Sequence, residues 1–267
     1  MIMKTALLIS TYNWVSALNL VFKSLQNQVQ LPDEILIADD GSAKETKELI
    51  DFYQKKFSIP VRHIWQEDAG FRKSQILNKT IAASTSDYII QIDGDCIMHP
   101  HFIKDHLETK EQQVFLYGSR VNIPKKGLET VLEKELSRFS FFSPLIKKRT
   151  RNIHLPYLRD KFVPKTVFSH KVRGCNISYW RDDFMQVNGY DENIEGWGME
   201  DSELVLRLLN KGIKGKRLKY GGIVYHIFHE EKSRDRVSVN SEIEQKTIEE
   251  KRTWCKNGVD KYIKKQL

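Results

Sequence analysis

Residues 88–98 read YIIQIDGDCIM, an apolar run of strand character that ends on two aspartates, Asp93 and Asp95, with one glycine between them. Side chains two apart on a strand share a face, so the two carboxylates are expected to converge at the strand's end. Like charges that close need a counter-charge or a shared proton, and a divalent cation is one candidate. The competing reading is a solvated turn built from turn-forming residues.

Upstream, apolar runs alternate with helix-like segments. TALLIS (5–10) precedes VSALNLVFKSLQNQ, in which Leu18, Val21, Phe22 and Leu25 recur at helical spacing. DEILIADD, SAKETKELIDFYQKKF, PVRHIWQ and RKSQILNKTIAAS continue the alternation up to DYIIQIDGD. This order predicts an α/β fold, a Rossmann-like, mostly parallel sheet flanked by helices with right-handed crossovers. Ligands of such sheets bind beyond the carboxyl ends of the strands. There the sequence places TYN (11–13), DDGS (39–42), EDAGFRKSQ (67–75) and DGD. Any one is an ordinary turn; four together favour a site.

Downstream, VFLYGSRV reads as one strand, LETVLEKELSRF as a helix, and residues 140–171 as a long basic and aromatic loop with room for short helices. GCNISYW reads as a strand and MEDSELVLRLLNKG as a helix stopped by Gly212. GGIVYHIFHEE reads as a strand leaving the core, followed by a polar helical remainder. No linker divides the chain. The expectation is a single domain over 1–267, with a nucleotide-sugar-binding half (1–110), an acceptor and catalytic half (111–235) and a basic helical tail (236–267).

The composition is that of a folded protein: of 267 residues 40% are hydrophobic and 29% charged, which argues against disorder. No apolar run approaches the roughly 18 residues of a spanning helix, and the opening MIMKTALLISTYNW does not read as a secretory signal. Cys96, Cys175 and Cys255 form no CxxC pair and fit a reducing compartment. A cytoplasmic location is expected. The net charge of +8 points to an anionic partner. Basic residues cluster in IKKRTRNIHLPYLRDKFVPK (146–165) and in the tail KRTWCKNGVDKYIKKQL, the latter expected to be a solvated face. Phe139, Phe141 and Phe142 beside the first cluster fit peripheral contact with an anionic membrane.

If the ligand is a nucleoside diphosphate sugar, these residues have work to do. A hard cation and positive side chains would stabilise the departing diphosphate. Asp95 would hold the cation, with Asp93 directed at the ribose or the metal shell. Tyr12 could stack on a base and Asp39 could accept from a pyrimidine N–H. Arg72 and Lys73, after Gly70, could meet phosphate. An inverting transfer also needs a base opposite the leaving group. EGWGMEDSELVLRLL (195–209) offers Glu200 and Asp201 at a helix start, where the dipole favours ionised carboxylates, and Trp197 in a flexible GWG. The competing reading is acidic decoration of a first helical turn. YHIFHEE offers His226 and His229 as further metal ligands. A spacing of three puts them on opposite faces of a strand, whereas in a turn or helix it can bring them together; one is expected to bind, His226 first.

STYNW, IADDGS, DAGFRKSQILN and IDGD resemble the successive motifs of family two glycosyltransferases, which have the GT-A fold. GCNISYWRDDFMQVNGYDENIEGWGMEDSELVLRLLNKG resembles the acceptor half shared by bacterial chondroitin polymerase transferase domains and β-1,4-galactosyltransferases. The resemblance implies a UDP-sugar donor, with galactose or N-acetylgalactosamine favoured, a glycan or lipid-linked glycan acceptor, and Mn2+ or Mg2+ as cofactor. It implies Asp201 as catalytic base and Asp95, His226 and His229 as metal residues. It assigns Thr11, Tyr12, Asn13, Asp39, Asp40, Gly70, Phe71, Arg72 and Asp93 to the donor, and Asn176, Trp197, Gly198 and Glu200 to the acceptor. Met199 stands where the family often has glycine. A phosphatase would carry its aspartates after the first strand, not the fourth, and a nucleotidyltransferase would carry a glycine-rich basic loop near the start. A basic nucleic-acid or membrane-binding protein would show no metal-dependent UDP binding and strong salt dependence; no nucleic-acid partner is expected.

Overall fold

The computed structural model describes residues 3–230 and 233–263. The first part runs β1 (Thr5–Thr11), α1 (Val15–Gln26), β2 (Glu34–Asp39), α2 (Lys44–Gln54), β3 (Val61–Trp65), α3 (Lys73–Ala83) and β4 (Tyr88–Asp93), the alternation read from the sequence. It continues through β5 (Cys96–Met98), α4 (Phe102–Thr109), β6 (Val114–Tyr117), β7 (Ser119–Ile123), α5 (Lys125–Glu133) and the single turn α6 (Pro156–Arg159). The last elements are β8 (Asn176–Trp180), α7 (Arg181–Gln186), α8 (Glu200–Asn210), β9 (Lys214–Arg217), β10 (Ile223–Ile227) and α9 (Val237–Glu249).

Seven strands form the main sheet in the order β3-β2-β1-β4-β8-β6-β9. β1, β2, β3 and β4 are mutually parallel, β8 runs antiparallel between β4 and β6, and β9 is parallel to β6. The central strands are apolar without alternation because both faces are covered, as a sheet with helical crossovers requires. Leu18, Val21, Phe22 and Leu25 of α1 are all buried against one face, with Leu7, Ile9, Ile35 and Ile37. Each such side chain contributes about 1.5–3 kcal/mol through burial. Ile76, Leu77 and Ile81 of α3 cover the other face with Tyr190, Leu204 and Leu208.

A second sheet, β5-β10-β7, is where the structure departs from the sequence reading. VFLYGSRV is two strands in two sheets. A Cβ on Gly118 would lie 2.3 Å from the Asn176 side chain and 2.4 Å from the Gly222 carbonyl, so glycine lets the chain cross here. GGIVYHIFHEE does not leave the core: β10 is the buried centre of the second sheet, antiparallel to β5 and parallel to β7. The helix expected over LETVLEKELSRF starts earlier and ends at Glu133, because Glu135 takes a left-handed conformation (φ 47°) and joins Asn19 and Lys23 of α1. The expected 140–171 loop carries a 3-10 turn at Arg149–Asn152 and α6.

The tail is not a solvated face. Cys255 and Val259 are buried, and Asn188 ties it down by donating to the Cys255 carbonyl at 2.8 Å and accepting Val259 N–H on its own carbonyl at 2.9 Å. Residues 264–267 of that basic segment, and Glu231 of YHIFHEE, lie outside the described residues. Among the described residues, no helix is long and apolar enough to cross a membrane.

Candidate active site

β4 ends at Asp93, and Gly94 turns the chain before β5 begins at Cys96. The strand alternation stops at this turn, so the turn and not a shared strand face sets the two carboxylates, both of which act on the charge of His226. Asp95 follows the chain into the second sheet. There the register pairs Cys96 with His226, and the Asp95 carbonyl accepts Ile227 N–H at 3.0 Å. His226 Nε2 and His229 Nε2 each lie 3.5 Å from Asp95 Oδ2. Because β10 ends at Ile227, the spacing of three spans a strand end and both histidines gather, where one was expected. His229 Nδ1–H donates to the Glu230 carbonyl at 2.8 Å, which fixes the tautomer with Nε2 free to ligate. Burial holds His226 below the usual imidazole range, in the neutral form a metal requires. Ligand atoms of Asp95, His226 and His229 lie within 4.8 Å of one another, a set able to hold a divalent ion.

Asp93 Oδ1 accepts from Ser10 Oγ at 2.7 Å and pairs with Lys73 Nζ at 2.8 Å, so a lysine supplies its counter-charge, and His226 of the metal set lies close enough to act on it as well. Lys73 Nζ also lies 3.8 Å from Glu200 Oε1. Burial opposes the charge on Lys73, but Asp93, Asp201 and Glu200 outweigh it and hold the amine well above its ordinary range. Burial likewise opposes the charge on Asp93, and Lys73, Ser10 and His226 hold it below the ordinary carboxylate range. Lys73 therefore joins the donor half to the other half electrostatically. Lys73→Met is expected to leave two half-buried carboxylates without their cation and cost about 1–3 kcal/mol in denaturant unfolding; a loss under about 0.5 kcal/mol would show the cluster carries no such weight.

Glu200 and Asp201 open α8, behind Met199 at φ 74°. Asp201 Oδ2 accepts Gly174 N–H at 2.6 Å, while its Oδ1 is buried without a partner. A Cβ on Gly174 would stand 1.9 Å from Asp201 Oδ1, so only glycine permits this approach. Burial and the charge of Asp201 push Glu200 up to about 7, against the pull of Lys73. Burial also raises Asp201, opposed by Lys73, the Gly174 N–H and Arg173. Two neighbouring carboxyls, both raised, are suited to proton transfer.

On the donor side, Tyr12 is exposed and donates to Asp68 Oδ2 at 2.8 Å. Thr11, at the end of β1, pairs in register with Asp39. Asn13 accepts Ala43 N–H at 2.7 Å. Asp39 is buried, accepting Ser42 N–H at 2.8 Å and meeting His63 Nε2 at 2.8 Å, with a second lone pair left on each oxygen. Asp40 accepts from Gln66 Nε2 at 2.6 Å and from Arg72 N–H at 2.8 Å, fixing the loop that carries Gly70 (φ 86°). The Arg72 guanidinium bonds the Glu67 carbonyl, and its Nε is buried without a partner.

On the acceptor side, the Phe71 carbonyl accepts Gly196 N–H at 3.0 Å, tying the two loops together. Trp197 is 42% exposed, with the Arg234 guanidinium 5.5 Å from its ring centroid. Asn240, buried on α9, donates to the Glu195 and Gly198 carbonyls at 2.9 and 3.0 Å, a brace that sequence reasoning missed because a polar helix gave no sign of where it packs. Asn176 is corrected: it is 2% exposed and its amide is spent on Ser119 O, Gly222 O and His106, clamping β7 and β8 to the Gly222 turn before β10 rather than reaching an acceptor.

A parallel sheet with acidic clusters gathered at its carboxyl edge, flanked by a second half carrying Asp201, is the GT-A architecture of nucleotide-sugar transferases. The chain belongs to the glycosyl transferase family 2, whose family model matches residues 6–175; a second model, the N-terminal domain of galactosyltransferase, matches residues 159–230. It is 25% identical over 229 residues to validoxylamine A glucosyltransferase of Streptomyces hygroscopicus subsp. limoneus, covering 78% of this chain and 48% of that protein. It is 24% identical over 242 residues to chondroitin synthase of Pasteurella multocida, covering 83% of this chain and 24% of that one. The chain thus spans half or less of the length of these relatives. In fold it is similar to S. aureus TarS 1–349 in complex with UDP (TM-score 0.63, 14% identity, 91% of this chain and 64% of that one). It is also similar to GalNAc-T7 with UDP, GalNAc and Mn2+ (TM-score 0.62, 19% identity, 85% and 44%).

Proposed function

We propose that this chain is an inverting, metal-dependent glycosyltransferase that moves a hexose or N-acetylhexosamine, galactose or N-acetylgalactosamine first among them, from a UDP-sugar to a hydroxyl of a cell-surface glycan or lipid-linked glycan. The observation that carries this reading is the half-buried chain of charge Asp93–Lys73–Glu200, with Asp201 beside it, lying next to the Asp95, His226 and His229 set.

Asp201 would accept the acceptor hydroxyl proton on Oδ1, the oxygen that has no partner of its own. The acceptor oxygen bonds the anomeric carbon as the bond from that carbon to the UDP oxygen breaks on the opposite face, inverting the centre and releasing UDP. Gly174 N–H holds the other oxygen of Asp201 and so fixes the direction of the base. Trp197 offers a ring face to a sugar, and Tyr12 with Asp39 forms the nucleoside side. One carboxylate and two imidazoles suit Mn2+ better than Mg2+, which prefers an all-oxygen shell. When bound there, the ion would neutralise diphosphate charge as UDP departs.

The glycosyltransferase names and nucleotide ligands of the similar proteins support this reading, as does the second family match. The test is manganese-dependent hydrolysis across a panel of nucleotide sugars, with UDP-galactose and UDP-N-acetylgalactosamine expected to be turned over fastest. Hydrolysis of none, with UDP failing to bind, would overturn the assignment.

The raised pKa values also set a pH dependence. Lys73, Asp93, Arg173 and Tyr190 surround the two carboxyls. The base must be ionised, so transfer should rise with pH across the range in which the two raised carboxyls lose their protons, Glu200 at about 7. Stability runs oppositely. A folded-state pKa above the unfolded value means Glu200 contributes stability at low pH that is lost as pH rises through about 7. Rate and melting temperature should therefore move in opposite directions between pH 5.5 and 8; parallel movement would count against the coupled carboxyls as the titrating pair.

Work at the cytoplasmic face of a membrane fits the exposed Phe142, 81% accessible, beside the basic 146–165 segment. Co-flotation with anionic vesicles tests that contact.

A further inference from the structure

Five cations gather on the acceptor side of the site. Lys147 N–H donates to the Asn122 carbonyl at 2.7 Å, pinning the 146–152 segment along β7. That brings Arg151 onto the Arg120 carbonyl at 3.0 Å and Lys148 beside them. Arg173 approaches from the segment before β8, and Arg217 from the end of β9 with its Nε buried and unpartnered. The guanidiniums of Arg151 and Arg173 bond backbone carbonyls only. Among the described residues no Asp or Glu forms a salt bridge with any of the five.

Lys148, Arg151 and Arg173 are exposed, while Arg120 and Arg217 are half-buried. Desolvation and the neighbouring cations depress Lys148 and Arg151. Burial opposes the charge on Arg120, but Cys175, Cys96 and Asp95 outweigh it. A patch of like charge of this kind attracts an anion.

Their position identifies whose anion. Arg120 shares a strand face with Asn122, whose register partner on β10 is His226. Arg173 immediately precedes Gly174, which holds Asp201. The group therefore borders the metal set and the base from the second half of the chain, away from Tyr12, Asp39 and Gly70 on the donor edge. The patch mixes two half-buried cations, Arg120 and Arg217, with three exposed ones, which favours a flexible chain-like ligand over a membrane lying flat on it.

We propose that the acceptor is an anionic glycan, bearing phosphate or carboxylate groups, and that Arg120, Lys148, Arg151, Arg173 and Arg217 form the subsite that binds one of those groups near the attacking hydroxyl. This rests on the transferase reading above.

The test measures binding of three oligomers of matched length, a poly(glycerol phosphate), an oligogalacturonate and a neutral maltooligosaccharide, with and without UDP and Mn2+. At least one anionic oligomer should bind about tenfold or more tighter than the neutral one. Lys148→Glu/Arg151→Glu should abolish that preference, and the milder Lys148→Gln/Arg151→Gln, which guards against misfolding, should weaken it by about tenfold, two solvent-exposed charge contacts being lost. UDP affinity should hold in both variants. Equal binding of the neutral oligomer, or unchanged binding by the variants, overturns the proposal. So does a fall in UDP affinity instead, which would assign the cations to the donor. Loss of flotation with phosphatidylglycerol vesicles while oligomer binding persists would assign them to a membrane and equally overturn it. Absence of manganese-dependent UDP binding in the parent protein would count against the transferase reading alone, because oligomer binding is also read without nucleotide.

Discussion

Asp201→Asn is expected to lower sugar transfer by about 10³-fold while leaving manganese-dependent UDP binding close to that of the parent protein. The amide is isosteric, and its carbonyl oxygen still accepts the Gly174 N–H, so α8 should keep its start and the fold its stability. Lost is the ability to take a proton on the oxygen that faces no partner. A near-parental rate would remove Asp201 as base and turn attention to Glu200, whose pKa near 7 makes it the next candidate. Gly174→Ala sharpens the test from the other side. Its methyl would occupy the space of Asp201 Oδ1, so the carboxylate must swing away, and transfer should fall although no ionisable group has been touched. Loss in both variants would tie the rate to the position of that oxygen as well as to its charge.

The parallel half of the fold was legible because burial there is local in sequence: apolar runs at strand length and a helical stripe through Leu18, Val21, Phe22 and Leu25 each announce their own packing. The second sheet was not. β5 is three residues long, and β7 becomes a separate strand only because Gly118 slips past Asn176 and Gly222, a contact between distant segments that no window of residues displays. The same limit governed the site. Asp95, Asp201 and the two histidines could be picked out by residue type, but their grouping depends on where β4 stops and β10 ends. Period-two alternation ends where these strands end, so it could not say how the DGD turn sets Asp93 and Asp95 or whether His226 and His229 meet. Asn176 misled for a related reason: a polar residue opening a strand beside a proposed site looks available until its three partners are known. Lys73 was read as a phosphate contact because its carboxylate partners lie 20 and 127 positions away.

The division of labour between the two aspartates of the DGD turn gives the second large effect. Asp95→Ala should reduce UDP affinity in the presence of Mn2+ to its metal-free level, because Asp95 is the sole carboxylate in the set and two imidazoles alone hold a hard cation poorly. Asp93→Asn should behave differently. It removes the partner of Lys73 without touching the ligand set, so the expected result is lower stability with the manganese dependence of UDP binding retained. His226→Ala and His229→Ala each leave one imidazole with Asp95 and should shift the manganese concentration needed for half-maximal binding upward by about 10-fold or more. If Asp93→Asn abolished the metal dependence and Asp95→Ala did not, the ion would sit on the Lys73 side of the turn. The charge chain from Asp93 to Glu200 would then be the diphosphate site itself, and Asp95 with its histidines a structural cluster at the edge of the second sheet.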